Sequence, residues 1–431
     1  MSRRADKSRD RSRRPDQSGP PGAAKARAAT RTPAAAAIAV PTPERDPLSA
    51  WACGLILLLI LIGGLAFQWP HLTAPILERV HGWRQAQTAM TARNFVRDGM
   101  NPFFARVDYI GDGQMQLEFP LYQYVVAICY LLFGIDEFWG RVVAMLFGMG
   151  SAVLTFLIGR SVWNGRVGLM AAALFTFSPL NIFFNRAFMP DSSTIFFTLL
   201  ALWAFLRFFQ TSRVWPLVVA CTAITFALAG KPPIALSVAP PLAVAMFLTY
   251  GLRFWRQGRL IVGLAAALLL FVGWMKYSSF INNERSDKLI EGTFTNAGEF
   301  NQSLVHWYFG SPQQRADART YARIFRRVPD WVGHWGTHAE TSGILESVRH
   351  WGVVALALLG VALSWRTRMQ WILPAWFLGC LAYVLVFLNV NFIHNYYQMP
   401  IIPMLALAAA LGVDRLLAAV ERLAARIRPA A

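Results

Sequence analysis

The sequence predicts an all-α integral membrane protein of about ten transmembrane helices, with a long first outward loop that carries interfacial helices. Three observations predict it. Of 431 residues, 55% are hydrophobic and only 15% are charged, too few charges to cover a soluble domain. Apolar runs near the length needed to cross ~30 Å of hydrocarbon recur along most of the chain. Basic residues gather at alternate ends of those runs.

The apolar runs fall at 49–67, 141–159, 167–185, 192–209, 214–230, 232–250, 260–278, 351–365, 371–390 and 398–413. The run at 232–250 contains Pro232, Pro233, Pro240 and Pro241, so a kinked or broken helix is expected there. A net charge of +18 on a soluble chain would suggest nucleic acid. Here the charge is a topology signal, and no nucleic-acid partner is expected. Arg160 and Arg166 follow the second run, Arg207 and Arg213 the fourth, and Arg253, Arg256 and Arg259 the sixth. Arg366 and Arg368 follow the eighth, and Arg415, Arg422, Arg426 and Arg428 the tenth. That alternation predicts N-in and C-in termini with loops 68–140 and 279–349 outside, and the expected location is a plasma (bacterial inner) membrane.

Residues 1–48, rich in Arg, Ser, Pro and Ala, read as a disordered cytoplasmic tail. Attraction to anionic lipid is the alternative for that tail. A membrane domain over 49–415 and a basic C-terminal tail over 416–431 complete the organisation. The four cysteines sit in apolar stretches as small core residues, and no zinc spacing is present. His334 and His338 are four apart, but the WGT between them lacks the Glu of a zinc-hydrolase helix.

The polar insert 68–140 is the informative part. It contains HGWRQAQTAMTARNFVRDG and then QMQLEFPLYQYVVAICYLLFG. Residues 120–133 are short for a span and read as a helix in the outer interface, with Glu118 at its polar end. A helix-start acid favoured by the dipole is the structural alternative. Asp191, in FNRAFMPDSSTIFF, lies where the chain turns back into the membrane. With Pro190 it can start and cap the next helix, act as a functional acid, or do both, and Arg186 nearby in sequence is its expected partner. Lys231 ends the fifth run, either snorkelling or aimed at a lipid phosphate. His394, Tyr396 and Tyr397 open the tenth run as aromatic-belt anchors or as a site wall.

The order of these segments, with GRVVAMLFGMGSAVLTFLIGRSVWNGRVGLMAAALFTFSPLNIFFNRAFMPD, resembles the GT-C superfamily of integral membrane glycosyltransferases. Within it, the pattern is similar to glycosyltransferase family 39. That family includes protein O-mannosyltransferases and the transferases that add aminoarabinose to lipid A. The resemblance covers residues 49–210 well and the later half in outline. It implies transfer of a sugar from a polyprenyl-phosphate carrier to a lipid, glycan or protein acceptor on the outer face. It also implies that Glu118 and Asp191 lie in the active site and that His394 lies near the carrier lipid.

One departure matters. Where relatives carry an acid, residues 84–87 read RQAQ. Either Glu118 or Asp191 then serves as base, or His81 or Asp108 does, or the chain is inactive. Arg84, Arg186 and Lys231 are the expected cations for the leaving phosphate, with His394, Tyr396 and Tyr397 beside the carrier. If a divalent metal ion binds, Glu118 and Asp191 are its expected ligands. A transporter or flippase for a lipid-linked sugar is the rival reading, and an inactive membrane scaffold the third.

Overall fold

The computed structural model describes residues 46–76, 81–108, 116–284, 305–332 and 344–427, all within one compact unit. Regular structure among the described residues is helical. Seven helices are long and apolar enough to cross a membrane: Ala50–His71, Glu137–Val162, Asp191–Thr211, Pro232–Arg256, Gly258–Asn282, Met369–Val386 and Ile401–Arg426. The protein is an integral membrane protein. Three of the ten expected spans are shorter than that measure, at Gly165–Thr176, Val214–Gly230 and Trp351–Ala362.

Local sequence explains most helix bounds. Helix α1 (Ala50–Gln68) starts where the Ser49 side chain accepts the Ala52 N–H, and α4 (Glu137–Val162) starts at the Asp136 cap. The run at 167–185 divides into α5 (Gly165–Thr176) and α6 (Pro179–Phe184). Asn164 caps α5, and Pro179 sits at the start of α6, where its missing N–H costs nothing. The proline-rich run divides as expected, into α9 (Pro232–Leu236) and α10 (Ala239–Tyr250), each with prolines in its first turn.

Two features of the packing position the functional groups. First, α7 (Asp191–Thr211) and α8 (Val214–Gly230) form a tight hairpin. Ser212, in the left-handed region at φ 55°, makes the turn between them. Antiparallel packing then returns the end of α8 to the start of α7: a Cβ on Gly230 would lie 3.0 Å from Thr194 Oγ1. Second, the first loop is folded rather than loose. It contains α2 (Gly82–Asp98) and α3 (Leu121–Phe133), which pack on each other, and α3 is the expected apolar helix.

At the far side, α16 (Ile344–Ala362) crosses α19 (Ile401–Ile427) at close range. A Cβ on Gly360 would overlap the Ala408 carbonyl oxygen, and one on Gly412 would overlap the Leu356 carbonyl oxygen. Both neighbours are backbone and cannot move aside as a side chain does. Gly360→Ala is therefore expected to separate the helices and destabilise the protein by about 1–3 kcal/mol, the usual cost of overpacking. Thermal unfolding in detergent reads it, with the exposed Gly54, which has open space around it, as the control for Gly→Ala.

Candidate functional site

Glu118 is set by backbone before any charge acts. The Gln116 carbonyl accepts from Ser278 Oγ at 2.9 Å and from Asn282 Nδ2 at 2.7 Å, both on α11 (Gly258–Glu284). The Phe119 N–H donates to the Ala229 carbonyl at 2.8 Å, at the end of α8. Pro120 then opens α3. The loop strand is thus strapped across the ends of α8 and α11, with Glu118 held between the two attachment points.

Arg84 projects from the first turn of α2 to meet it. One guanidinium nitrogen binds Glu118 Oε1 and the other donates to Gln87 Oε1 at 2.6 Å. Gln123, one turn into α3, donates to the same Glu118 oxygen at 3.2 Å. Burial raises the Glu118 carboxyl, but Arg84, Lys231 and the Gln123 amide more than offset it, and its pKa lies below the ordinary carboxylate range. Burial likewise works against the Arg84 charge, and Glu118 overrides it. These residues line a narrow cavity with Thr88, Thr91 and Pro120.

The second pair is Lys231 Nζ and Asp191 Oδ1, 2.6 Å apart. The Asp191 side chain is 0% exposed and its Oδ2 has no hydrogen-bond partner. The expected partner, Arg186, is not the one used. Its guanidinium lies over the Phe183 ring, 5.1 Å from the centroid, on the other side of the 187–190 turn. Nor is Asp191 a cap: α7 begins without a side-chain cap bond. The α7–α8 hairpin, which brings residues 40 apart in sequence together, decides the pairing. Burial pulls the Lys231 ammonium below its usual range, with Asp191 and Glu118 pulling the other way.

The two pairs form one cluster. Lys231 acts on Glu118, and Asp191 acts on Arg84. Aromatic rings cover it: Lys231 Nζ lies 4.7 Å from the Tyr396 centroid and 5.2 Å from that of Tyr397. His394 stacks on Tyr396 at 5.0 Å, and His81 sits edge-on to Tyr396 at 4.9 Å. His81 Nε2 is 2.8 Å from Asn395 Oδ1, which fixes the ring against the second half of the chain. His81 itself has φ 59° at the start of α2, a strained backbone that delivers its side chain here.

A rigid underlay supports Asp191. Arg141, fully buried on α4, donates to the Pro75 and Arg186 carbonyls, both at 3.0 Å. Gln85 Oε1 accepts the Phe188 N–H at 3.0 Å, and Gly140 lies flat against the Phe188 ring. The 186–190 turn is therefore held from α2 and α4 at once.

Asp108 is already engaged. Its carboxylate binds Arg93, Arg97 at 3.0 Å and Asn94 at 2.9 Å in an exposed cluster with Asp98. That cluster holds down the C-terminal half of α2 and leaves no oxygen directed at Glu118. The expected two-carboxylate metal site is not assembled either. Each acid is bound by a cation, and no three of His, Cys, Asp and Glu converge among the described residues. These residues do not fit a divalent ion. His334 and His338 lie outside the described residues.

Sequence reasoning missed Gln85, Gln123, Arg141 and Tyr308. Tyr308 is a half-buried phenol on the short helix 305–309, within electrostatic reach of Glu118 and Tyr397. Only Arg141 gave a signal, as a charge at the start of an apolar run.

A family model for dolichyl-phosphate-mannose-protein mannosyltransferases matches residues 118–277. No curated protein sequence matches the chain. Among solved structures, ArnT from Cupriavidus metallidurans bound to undecaprenyl phosphate matches with TM-score 0.57 and 17% identity, over 85% of this chain and 60% of ArnT. The archaeal oligosaccharyltransferase AglB from Archaeoglobus fulgidus, in complex with an inhibitory peptide and a dolichol-phosphate, matches with TM-score 0.53 and 14% identity. That match covers 88% of this chain and 52% of AglB. The chain thus spans between about half and three-fifths of the length of these structures. The GT-C fold that the sequence resembles is the fold observed.

Two outcomes follow. Lys231→Met leaves a fully buried carboxylate unpaired and is expected to cost about 3–5 kcal/mol in detergent unfolding. Adding Asp191→Asn is expected to restore most of the loss. The second concerns acid. Burial, with His81, Lys231 and Arg84 nearby, holds the His394 imidazole down at about 4. The unfolded chain, near 6.5, then binds more protons than the folded one between these values. The His394 contribution is complete above about 6.5 and is lost as pH falls towards 4. Melting temperatures in that window are expected to fall less steeply for His394→Gln than for the parent.

Proposed function

We propose that this GT-C chain is a membrane glycosyltransferase. It moves a sugar from a polyprenyl-phosphate carrier to an acceptor hydroxyl at the membrane surface, with inversion at the anomeric carbon. The observation that carries the reading is the pair of buried cation–carboxylate contacts, Arg84–Glu118 and Lys231–Asp191, joined at one end of the helix bundle under an aromatic cover. Two cations suit a leaving phosphate, and two acids suit proton removal. The undecaprenyl phosphate in ArnT and the dolichol-phosphate in AglB point the same way.

In this reading Glu118 is the base. It lines the cavity, whereas Asp191 has no exposed surface and orients Lys231. The donor's phosphate takes Arg84 away from Glu118. Loss of that partner raises the Glu118 carboxyl towards the range where it accepts a proton. The acceptor oxygen then attacks the anomeric carbon as the bond to the phosphate oxygen breaks. Lys231 and Arg84 balance the charge left on the phosphate, and Glu118 receives the hydroxyl proton. Holding sugar, acceptor and carrier at one boundary supplies the orientation advantage. The bacterial inner membrane, with the site facing outward, is the location that the arginine distribution favours.

Native mass spectrometry of the detergent-purified protein with polyprenyl-phosphate sugars and nucleotide sugars tests it. Selective retention of one prenyl-linked sugar is expected, and with the matched acceptor Arg84→Gln should lower transfer by on the order of 10²–10³. Glu118→Gln should abolish transfer while retaining the donor. Retention of nucleotide sugars alone would overturn the donor class.

A further inference from the structure

At the end of α8 away from Lys231, the bundle carries a second feature that the transfer chemistry does not use. Helices α8 and α11 run side by side in the same direction, so that Val214 lies level with Gly258 and Phe226 level with Leu270. Between them is an apolar groove of about 690 Å³. Val218, Val262 and Leu270 line it and are themselves exposed, so it opens along its length. The volume is of ligand-pocket size, ~300–1,000 Å³. Its length, from Val214 to Phe226, is roughly 18 Å at 1.5 Å per residue, close to one leaflet of a ~30 Å hydrocarbon layer.

Charge marks one end only. Arg259 is the sole charged residue in the lining, and it sits at the Gly258 end. Arg213 directly precedes α8, and Arg253 and Arg256 lie in the short helical turn directly before α11. All four are exposed. From 192 to 283 the chain contains no Asp or Glu, so nothing in these segments neutralises them. Trp215 and Trp255, 73% and 61% exposed, stand at the same end and mark the depth of a headgroup layer. The opposite end of the groove, at Phe226 and Leu270, carries no charged residue.

We infer that this groove is a binding site for one anionic glycerophospholipid, in the leaflet opposite the candidate catalytic site. An acyl chain lies along α8 and α11, and the phosphate meets Arg259 and Arg213. The position of the charge separates this occupant from the carrier. A prenyl phosphate bound at Lys231 would bring its phosphate to the other end of α8, where the groove offers no cation. Such a lipid fills the seam between α8 and α11, and α8 carries Lys231 at its far end. The site therefore ties lipid headgroup class to the stability of the helix that presents the ammonium.

The test is native mass spectrometry of the full chain with phosphatidylglycerol and phosphatidylcholine of matched acyl chains. The parent should prefer phosphatidylglycerol by about 30-fold, which is about 2 kcal/mol at 1.4 kcal/mol per tenfold. That is the size expected of two basic residues beside an anionic headgroup. Arg213→Gln with Arg259→Gln should reduce the preference to about threefold or less. Ala266→Trp, which fills the groove from an exposed position, should weaken both lipids, and Val262→Trp replaces it if that chain fails to fold. Equal retention of the two lipids by the parent would overturn the assignment. So would a preference that survives the arginine changes, or one-for-one displacement of phosphatidylglycerol by a prenyl monophosphate.

Discussion

The buried contact between Lys231 and Asp191 is the constraint on which the rest of this structure depends. Removing two charges from water costs several kcal/mol each unless they pair with good geometry. Asp191 has no exposed surface and Lys231 almost none, so the two must meet. Meeting requires that α7 and α8 close as a hairpin, which the turn at Ser212 provides. It also requires a lid. Tyr396 and Tyr397 lie over the ammonium, and the Glu118 strand crosses the end of α8 through the Phe119–Ala229 bond. The lid comes from the first loop and from the segment just before the last span.

Charge count explains why the cluster has four members. One buried pair is neutral, and so are two, yet each cation lies within reach of both acids. A single pair would leave an anionic ligand only one exchange to make. Two coupled pairs let one cation leave its carboxylate while the other acid remains compensated. Burial alone would raise Glu118, and its depressed value records how strongly Arg84 holds it. The Asp191 oxygen without a partner is the opposite case, a buried acceptor left open beside a satisfied one.

Much of this was legible in the sequence, and the failures have physical causes. Glu118 before Pro120, Asp191 at a membrane boundary, and Lys231 before two prolines are each visible because charge is rare in apolar chains. The broken run at 232–250 was legible because proline removes a donor. The partner of Asp191 was not. Sequence proximity favours Arg186, but its guanidinium lies over the Phe183 ring, and only the hairpin closure identifies Lys231. The surroundings of Asp108 were not legible either: three donors on one face of α2 bind it, and the i, i+4 spacing of Arg93 and Arg97 around Asn94 is plain only once α2 is known to be a helix facing 106–108. Gln85 and Gln123 were missed because a neutral amide in a polar loop carries no signal until its partner is known.

The division of charge across the bundle completes the account. At one end, acids and bases are matched within a buried cluster, and arginine is used as a hydrogen-bond donor with a fixed partner. At the other end of α8, Arg213, Arg253, Arg256 and Arg259 stand exposed with no Asp or Glu between residues 192 and 283, beside Trp215 and Trp255. Matched charge in low dielectric gives geometry, because each pair has one arrangement that offsets its desolvation. Unmatched charge in the headgroup layer gives depth, because it fixes how far a helix enters the bilayer. Helix α8 carries both, Arg213 before its first turn and Lys231 after its last. With only 17 residues between them it is shorter than a typical span. One end of this short helix is thus an exposed arginine, and the other is an ammonium withdrawn from water and held by Asp191.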